Sequence, residues 1–219
     1  MNEWTLLATD HDDWMAYVFG INFLLFVFCK QQFSHQFFTF FRVIDTPLYF
    51  SSYGERSILQ QGFVVCSVVF SIINTSLFLG FLLMHFSPRI FDLNTFGLLF
   101  GGLSLVVILR QVILLGLGFF IDLNSFINQY QFRQATYLFR LSFLVYVGLV
   151  FYHFYFAHSP LFFNLMFYTV VSLYLLYHFM VYRQMFNVLN KGGVYFILYL
   201  CTLKLSPWIL LFKGLKNLL

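Results

Sequence analysis

Charge is what this chain lacks most. Charged side chains make up 9% of its 219 residues, against about 25% in an ordinary soluble domain. Hydrophobic residues make up 61%, more than a water-soluble fold of this size could hide, so the bilayer must serve as solvent. Carboxylates are missing from the apolar runs altogether, although the chain has 8 Asp and Glu. A proton-driven pump normally carries an intramembrane acid, and that class is weakened accordingly. Cysteine is scarce too. Cys29, Cys66 and Cys201 are odd in number, match no metal-binding spacing, and lie in or at the end of apolar runs. They read as small buried hydrophobes. No G-x-S-x-G, no Ser/His/Asp set and no phosphate-binding glycine loop occurs, and Gly192-Gly193 is a turn. No basic segment precedes the first apolar run. Glu3, Asp10, Asp12 and Asp13 make that tail acidic, so the first run is expected to stay in the protein as a helix. The net charge of +4 is spread along the chain, which bears on membrane orientation and gives no nucleic-acid footprint.

What is present is a series of long apolar runs. They are continuous, whereas strands of an outer-membrane barrel alternate apolar and polar residues. The expectation is an all-α polytopic transmembrane bundle, residues 1–219 forming a single integral membrane domain. Six membrane helices are expected at about 14–29, 61–86, 94–121, 135–156, 161–182 and 194–212. After the first, Phe33, Phe37, Phe40, Phe41 and Ile44 share one helical face, with Ser34, His35, Gln36 and Thr39 around it. That pattern predicts an amphipathic helix lying in the interface over 33–45, ended by Pro47. Residues 123–137 form a polar, helix-compatible elbow. The connection at 157–160 is so short that the helices around it must be antiparallel neighbours.

The run 94–121 is the longest and is expected to organise the bundle. At about 1.5 Å per residue it exceeds a hydrocarbon core of roughly 30 Å. Gly97, Gly101 and Gly102 give it a flat face where another helix backbone could approach. Its single ionisable residue is Arg110, which could snorkel to lipid phosphates or hold an anionic headgroup. Lys204 sits mid-run, three residues before Pro207, at a depth where a lysine is unfavourable by about 2.5–3.5 kcal/mol on insertion scales. It is expected to face the bundle interior near Asn74 and Thr75, and to bind an anionic headgroup or an acidic partner subunit. Asn74, Thr75 and Ser76, midway along the second run, are expected to bond to neighbouring helices. Arg140 is a further charge partner for an anion.

Lys and Arg near the odd-numbered connections are Lys30, Arg42, Arg56, Arg110, Arg133, Arg140, Arg183 and Lys191; the other side has Arg89, Lys213 and Lys216. That asymmetry places the odd connections in the cytoplasm and both termini in the periplasm. His85, His153 and His158 then fall on the external side with His11. A pair of such imidazoles could ligate haem iron or another metal. No acid or cysteine stands at ligand spacing beside them, and interfacial histidines are commonly just amphipathic side chains. No cofactor is therefore expected, with haem the alternative.

Several stretches resemble a known family. They are DWMAYVFGINFLLF at 13–26, Gln61-Gly62-Phe63, FIDLNSFINQYQFRQATY at 120–137, and above all YFILYLCTLKLSPW at 195–208. With these, nearly the whole chain is similar to a multi-pass inner-membrane family of Bacteroidota catalogued only as a domain of unknown function. Members of that family often carry Glu where this chain has Lys204, and a basic residue near the position of Arg110. An ion pair between those positions does not carry over to this chain, which has two cations. The resemblance implies a bacterial inner-membrane location and no particular activity. Three functions are then in competition. The first is a non-enzymatic subunit or assembly factor of a cell-envelope complex, with a membrane-protein partner or a second copy. The second is a small transporter or flippase for an anionic lipid-linked molecule, using Arg110, Arg140 and Lys204. The third is a haem- or quinone-linked membrane protein.

Overall fold

The structure, a computed structural model, describes residues 13–34, 37, 62–86, 91–121, 124–156 and 159–186. They form five helices: α1 (Asp13–Gln32), α2 (Gly62–Phe86), α3 (Leu93–Ile121), α4 (Asn124–Phe154) and α5 (Pro160–Phe186). Each is long and apolar enough to cross a membrane, and no strand occurs among the described residues. The sixth expected span, 194–212, lies outside them. Of the interfacial segment 33–45 only residues 33, 34 and 37 are described. There the Phe33 N–H donates to the Cys29 carbonyl at 3.1 Å and the Phe37 N–H to the Phe33 carbonyl at 2.9 Å, so helical bonding continues past the end of α1.

One boundary differs clearly from the sequence reading. The polar elbow is not a connection: α4 starts at Asn124 rather than near 135. Residues 124–147 contain neither glycine nor proline, so nothing stops the helix, and the glutamines there find partners on α3. The run 94–121 is one unbroken helix of 29 residues, about 43 Å long at 1.5 Å per residue. Its part most clearly long and apolar enough to span is Leu93–Leu114.

Nor is α3 the hub. α4 packs against α2, α3 and α5, while α2 also packs against α1 and α3. The α2 and α4 spans are 39% and 44% buried, that of α3 only 11%. Among the described residues the glycine face of α3 meets no neighbour: a Cβ added at Gly97, Gly101 or Gly102 would find none of them within 4 Å. Glycines that do permit close approach are Gly62, Gly148 and above all Gly80 on α2, where an added Cβ would overlap the Phe91 ring.

Paired residues fix the directions of the helices. Asn22 bonds Asn74 and the Phe33 ring, just past α1, meets Phe63 near the start of α2, so α1 and α2 run antiparallel. Tyr137 stacks on Tyr177 and Tyr152 on Phe163, so α4 and α5 do the same. The end of α1, the start of α2, the end of α3, the start of α4 and the end of α5 therefore share one side of the bundle. Its interior holds two aromatic-rich cores. One, around Phe63, Phe70, Tyr130, Phe132 and Phe139, lies toward that side. The other, around Phe19, Phe81, Phe91, Tyr152 and Phe163, lies toward the opposite side.

Between the cores is a polar level at mid-depth. Asn22 Nδ2 donates to Asn74 Oδ1 at 2.8 Å, and Asn74 Nδ2 donates to the Phe70 carbonyl at 2.9 Å. Both asparagines are fully buried. The hydroxyls of α2 behave otherwise than expected. Ser67, Ser71, Thr75 and Ser76 each donate to the carbonyl four residues back, at 2.7–2.8 Å, so the helix satisfies them itself. Of the expected trio Asn74, Thr75 and Ser76, only Asn74 reaches another helix.

Candidate functional site: a cationic polar layer at one end of the bundle

Arg110 and Gln111 are the first strongly polar side chains on α3 after a long apolar stretch. Helix geometry puts them opposite residues one turn apart on antiparallel α4. The Arg110 guanidinium donates to Gln134 Oε1, and Gln111 Nε2 donates to Gln131 Oε1 at 2.9 Å. Gln131 and Gln134 are 6% and 5% exposed, deep enough that each needs its partner. Gln134 has its acceptor engaged. Gln131 keeps both Nε2 protons without a hydrogen-bond acceptor.

α5 closes the layer. Tyr174 lies within electrostatic range of Arg110 and Tyr130, and its ring meets His178 edge-on at 4.2 Å. One turn along, Tyr177 stacks on Tyr137 at 5.3 Å, and the Arg140 guanidinium sits 6.0 Å from the Tyr137 ring centre, at the limit of a cation–π contact. Gln134, Tyr137, Leu138, Leu141, Tyr174, Tyr177 and His178 line a cavity of about 10 Å³, the space of a single water. The interior of the layer is thus nearly full, and its open side is the partly buried Arg110.

Among the described residues the charges are segregated. Lys30 lies in the last turn of α1, Arg183 in the last turn of α5, and Arg110, Arg133 and Arg140 toward the same side. Asp13, which opens α1, and Asp92, just before α3, are at the other. No carboxylate among the described residues faces Arg110. A guanidinium has five donors; among the described residues its hydrogen bond goes to a neutral amide.

The structure brings together two of the expected site residues, Arg110 and Arg140, in one layer. Asn74 lies elsewhere, at mid-depth, engaged by Asn22. Lys204 lies outside the described residues. The α2 groups expected to face it are taken up otherwise, Asn74 by Asn22 and Thr75 by the Ser71 carbonyl. His85 and His153 are both at the far side, packed among rings: His85 on Phe163 at 4.9 Å, and His153 against Phe19, Phe81 and Phe154 at 5.7, 6.2 and 4.8 Å. His158 is outside the described residues. No group of three or more His, Cys, Asp or Glu that could hold a metal occurs among the described residues.

Sequence reasoning missed Asn22, Gln111, Gln131 and Gln134. Asn22 had a signal, a lone amide in the middle of an apolar run. The glutamines had one too: polar residues on consecutive turns of a helix-compatible stretch, with a cation and an amide side by side on the run before it.

No curated protein and no solved structure matches the chain. One family model does, that of a domain of unknown function (DUF4271), over residues 15–215. The match begins in the first turn of α1 and extends past the end of α5, taking in the whole polar layer, and the chain therefore belongs to this family of domains of unknown function.

Proposed function

We propose that this protein is a non-enzymatic component of a bacterial inner membrane, a subunit or assembly factor of a cell-envelope complex, that holds the anionic headgroup of a lipid at Arg110. The supporting observation is Arg110 itself: a permanent cation within the apolar run of α3, bonded to a neutral glutamine and facing no acid among the described residues. A phosphate oxygen would meet the unused guanidinium donors in a medium where charge-assisted bonds are strong. Amides, phenols and guanidinium groups make a binding layer, and no carboxylate general base stands among them. The described interior between this layer and the far side is filled, with Phe70, Phe139 and Asn22 fully buried, which favours holding a headgroup over moving it across.

Two experiments test this. In nanodiscs of mixed phosphatidylglycerol and phosphatidylcholine, lipid released from purified wild type should be enriched in phosphatidylglycerol. Arg110→Leu should return it to the bulk ratio while melting within a few degrees of wild type. Equal enrichment in Arg110→Leu rejects the site. The orientation in this proposal has the cationic end cytoplasmic. In a cysteine-free background, a cysteine at Tyr155, 77% exposed, should react with impermeant maleimide on intact cells, and one at Arg183 only after permeabilisation. The reverse pattern overturns the orientation.

A further inference from the structure

The outer helices of the bundle differ in what they turn outward. Through their middle turns α1 and α3 expose glycine and apolar side chains, among them Ile21 and Leu24 on α1 and Leu105, Ile108 and Val112 on α3. The α5 span is 11% buried, like that of α3, yet its open side is of another kind. Leu161, Leu165, Tyr168, Ser172, Leu176 and Phe179 are exposed. Their spacing of three and four makes one helical stripe, with Asn164 and Thr169 at its flanks. Thr169 donates its hydroxyl to the Leu165 carbonyl of its own helix at 2.8 Å. Ser172 stands near the middle of the span Pro160–Met180. Hydroxyls and amides inside a membrane are features of helix contacts rather than of faces turned to lipid.

We propose that this stripe of α5 is the docking surface for the apolar segment 194–212 of the same chain. α5 ends at Phe186, and residues 187–193 separate it from that segment. Helix connections of about 2–8 residues join neighbours in a bundle. The comparably brief connection between α4 and α5 does so here, and those two helices pack together. The segment leaves from the end of α5 and therefore runs back antiparallel to it. In a hairpin turning at about residue 190, with both arms rising about 1.5 Å per residue, the positions level with Ser172 lie around 208. Ser206 falls within a turn of that level and Thr202 one turn further on. Both bring hydroxyls to the depth of the α5 stripe, where bonds between helices hold polar side chains in lipid. The all-apolar open side of α3 offers the segment no such partner. The docking is independent of headgroup binding at Arg110.

Cysteine cross-linking of the full-length chain in membranes tests the docking. In a background without Cys29, Cys66 and Cys201, Ser172→Cys is combined in turn with a cysteine at each position from 205 to 210, and a protease site is placed within 187–193. After oxidation and cleavage, one or two of these pairs should hold the two fragments together on a non-reducing gel. Ile108→Cys on α3 is the control. Ile108 lies near the depth of Ser172, since Arg110 bonds Gln134 and Gln134 shares a cavity with Tyr174. It should join the fragments at no position. A parallel scan from Leu176→Cys against 201–206 gives the same reading should the Ser172 variants fail to accumulate. Fragments held by Ile108→Cys and not by the α5 cysteines put the segment on α3 and overturn the proposal. So do α5 cysteines that join only whole chains to each other, which puts a second copy on the stripe. Scans from both α5 positions without a cross-link leave the stripe to lipid and overturn it as well.

Discussion

Gly80→Leu loses about 1–3 kcal/mol of stability in detergent, because its added atoms must displace the buried Phe91 ring from a filled core. Phe91 cannot yield cheaply. Its ring touches Trp14 at 5.2 Å and Phe81 at 6.1 Å, so moving it disturbs the contacts of α1 and α2 with the start of α3. Gly101→Leu is the matched control. Its side chain would enter open space, and it should melt within a few degrees of wild type. The measurement is thermal or denaturant unfolding of the two variants beside wild type. A Gly80→Leu protein as stable as wild type would mean that the α2–Phe91 contact is not as described. A Gly101→Leu protein as damaged as Gly80→Leu would put a partner helix on the glycine face of α3.

The Asn22–Asn74 pair should give the clearest energetic coupling in the bundle. Asn22→Leu leaves Asn74 Oδ1 without its donor at mid-depth, at a cost of about 1–2 kcal/mol. Asn74→Leu should cost a similar amount, since it strands the Asn22 amide. Changing both to leucine removes the two stranded groups together. The double variant should therefore be destabilised by clearly less than the two single losses combined. A double-mutant cycle in a reversible detergent–denaturant titration reads this directly. Additivity within about 0.5 kcal/mol would show that the two amides do not act as a pair.

The membrane class and the positions of four spans were legible because each rests on a continuous apolar run, which survives any detail of packing. The start of α4 was not, because Asn124–Gln134 is polar. Its polarity looked like a connection until Arg110 and Gln111 supplied partners, a tertiary fact that no local pattern contains. The glycines show the same limit. Spacing singled out Gly97 and Gly101, yet Gly80, with no small residue three or four positions away except Ser76, is the one with the tightest ring contact. Small size permits close approach, and only the fold decides where approach occurs. Arg110 was found by its isolation in an apolar run; its partner Gln134 could not be, since pairing two helices is a question of register between them.

The order of polar contacts along the chain bears on how the protein enters the membrane. Asn74 bonds Asn22, Gln134 bonds Arg110, Gln131 bonds Gln111, and the Tyr146 hydroxyl donates to the Phe19 carbonyl at 3.3 Å. In every case the later helix finds its partner on one already synthesised, and the hydroxyls of α2 need no partner beyond their own helix. A nascent chain released helix by helix from a translocon thus leaves an early amide, Asn22 on α1 or Gln111 on α3, waiting only for the next helix, a state that costs several kcal/mol per unsatisfied group while it lasts. Biogenesis can proceed vectorially, as an α1–α2 hairpin first and an α3–α4 hairpin second, each sealed by its own side-chain bonds before α5 docks.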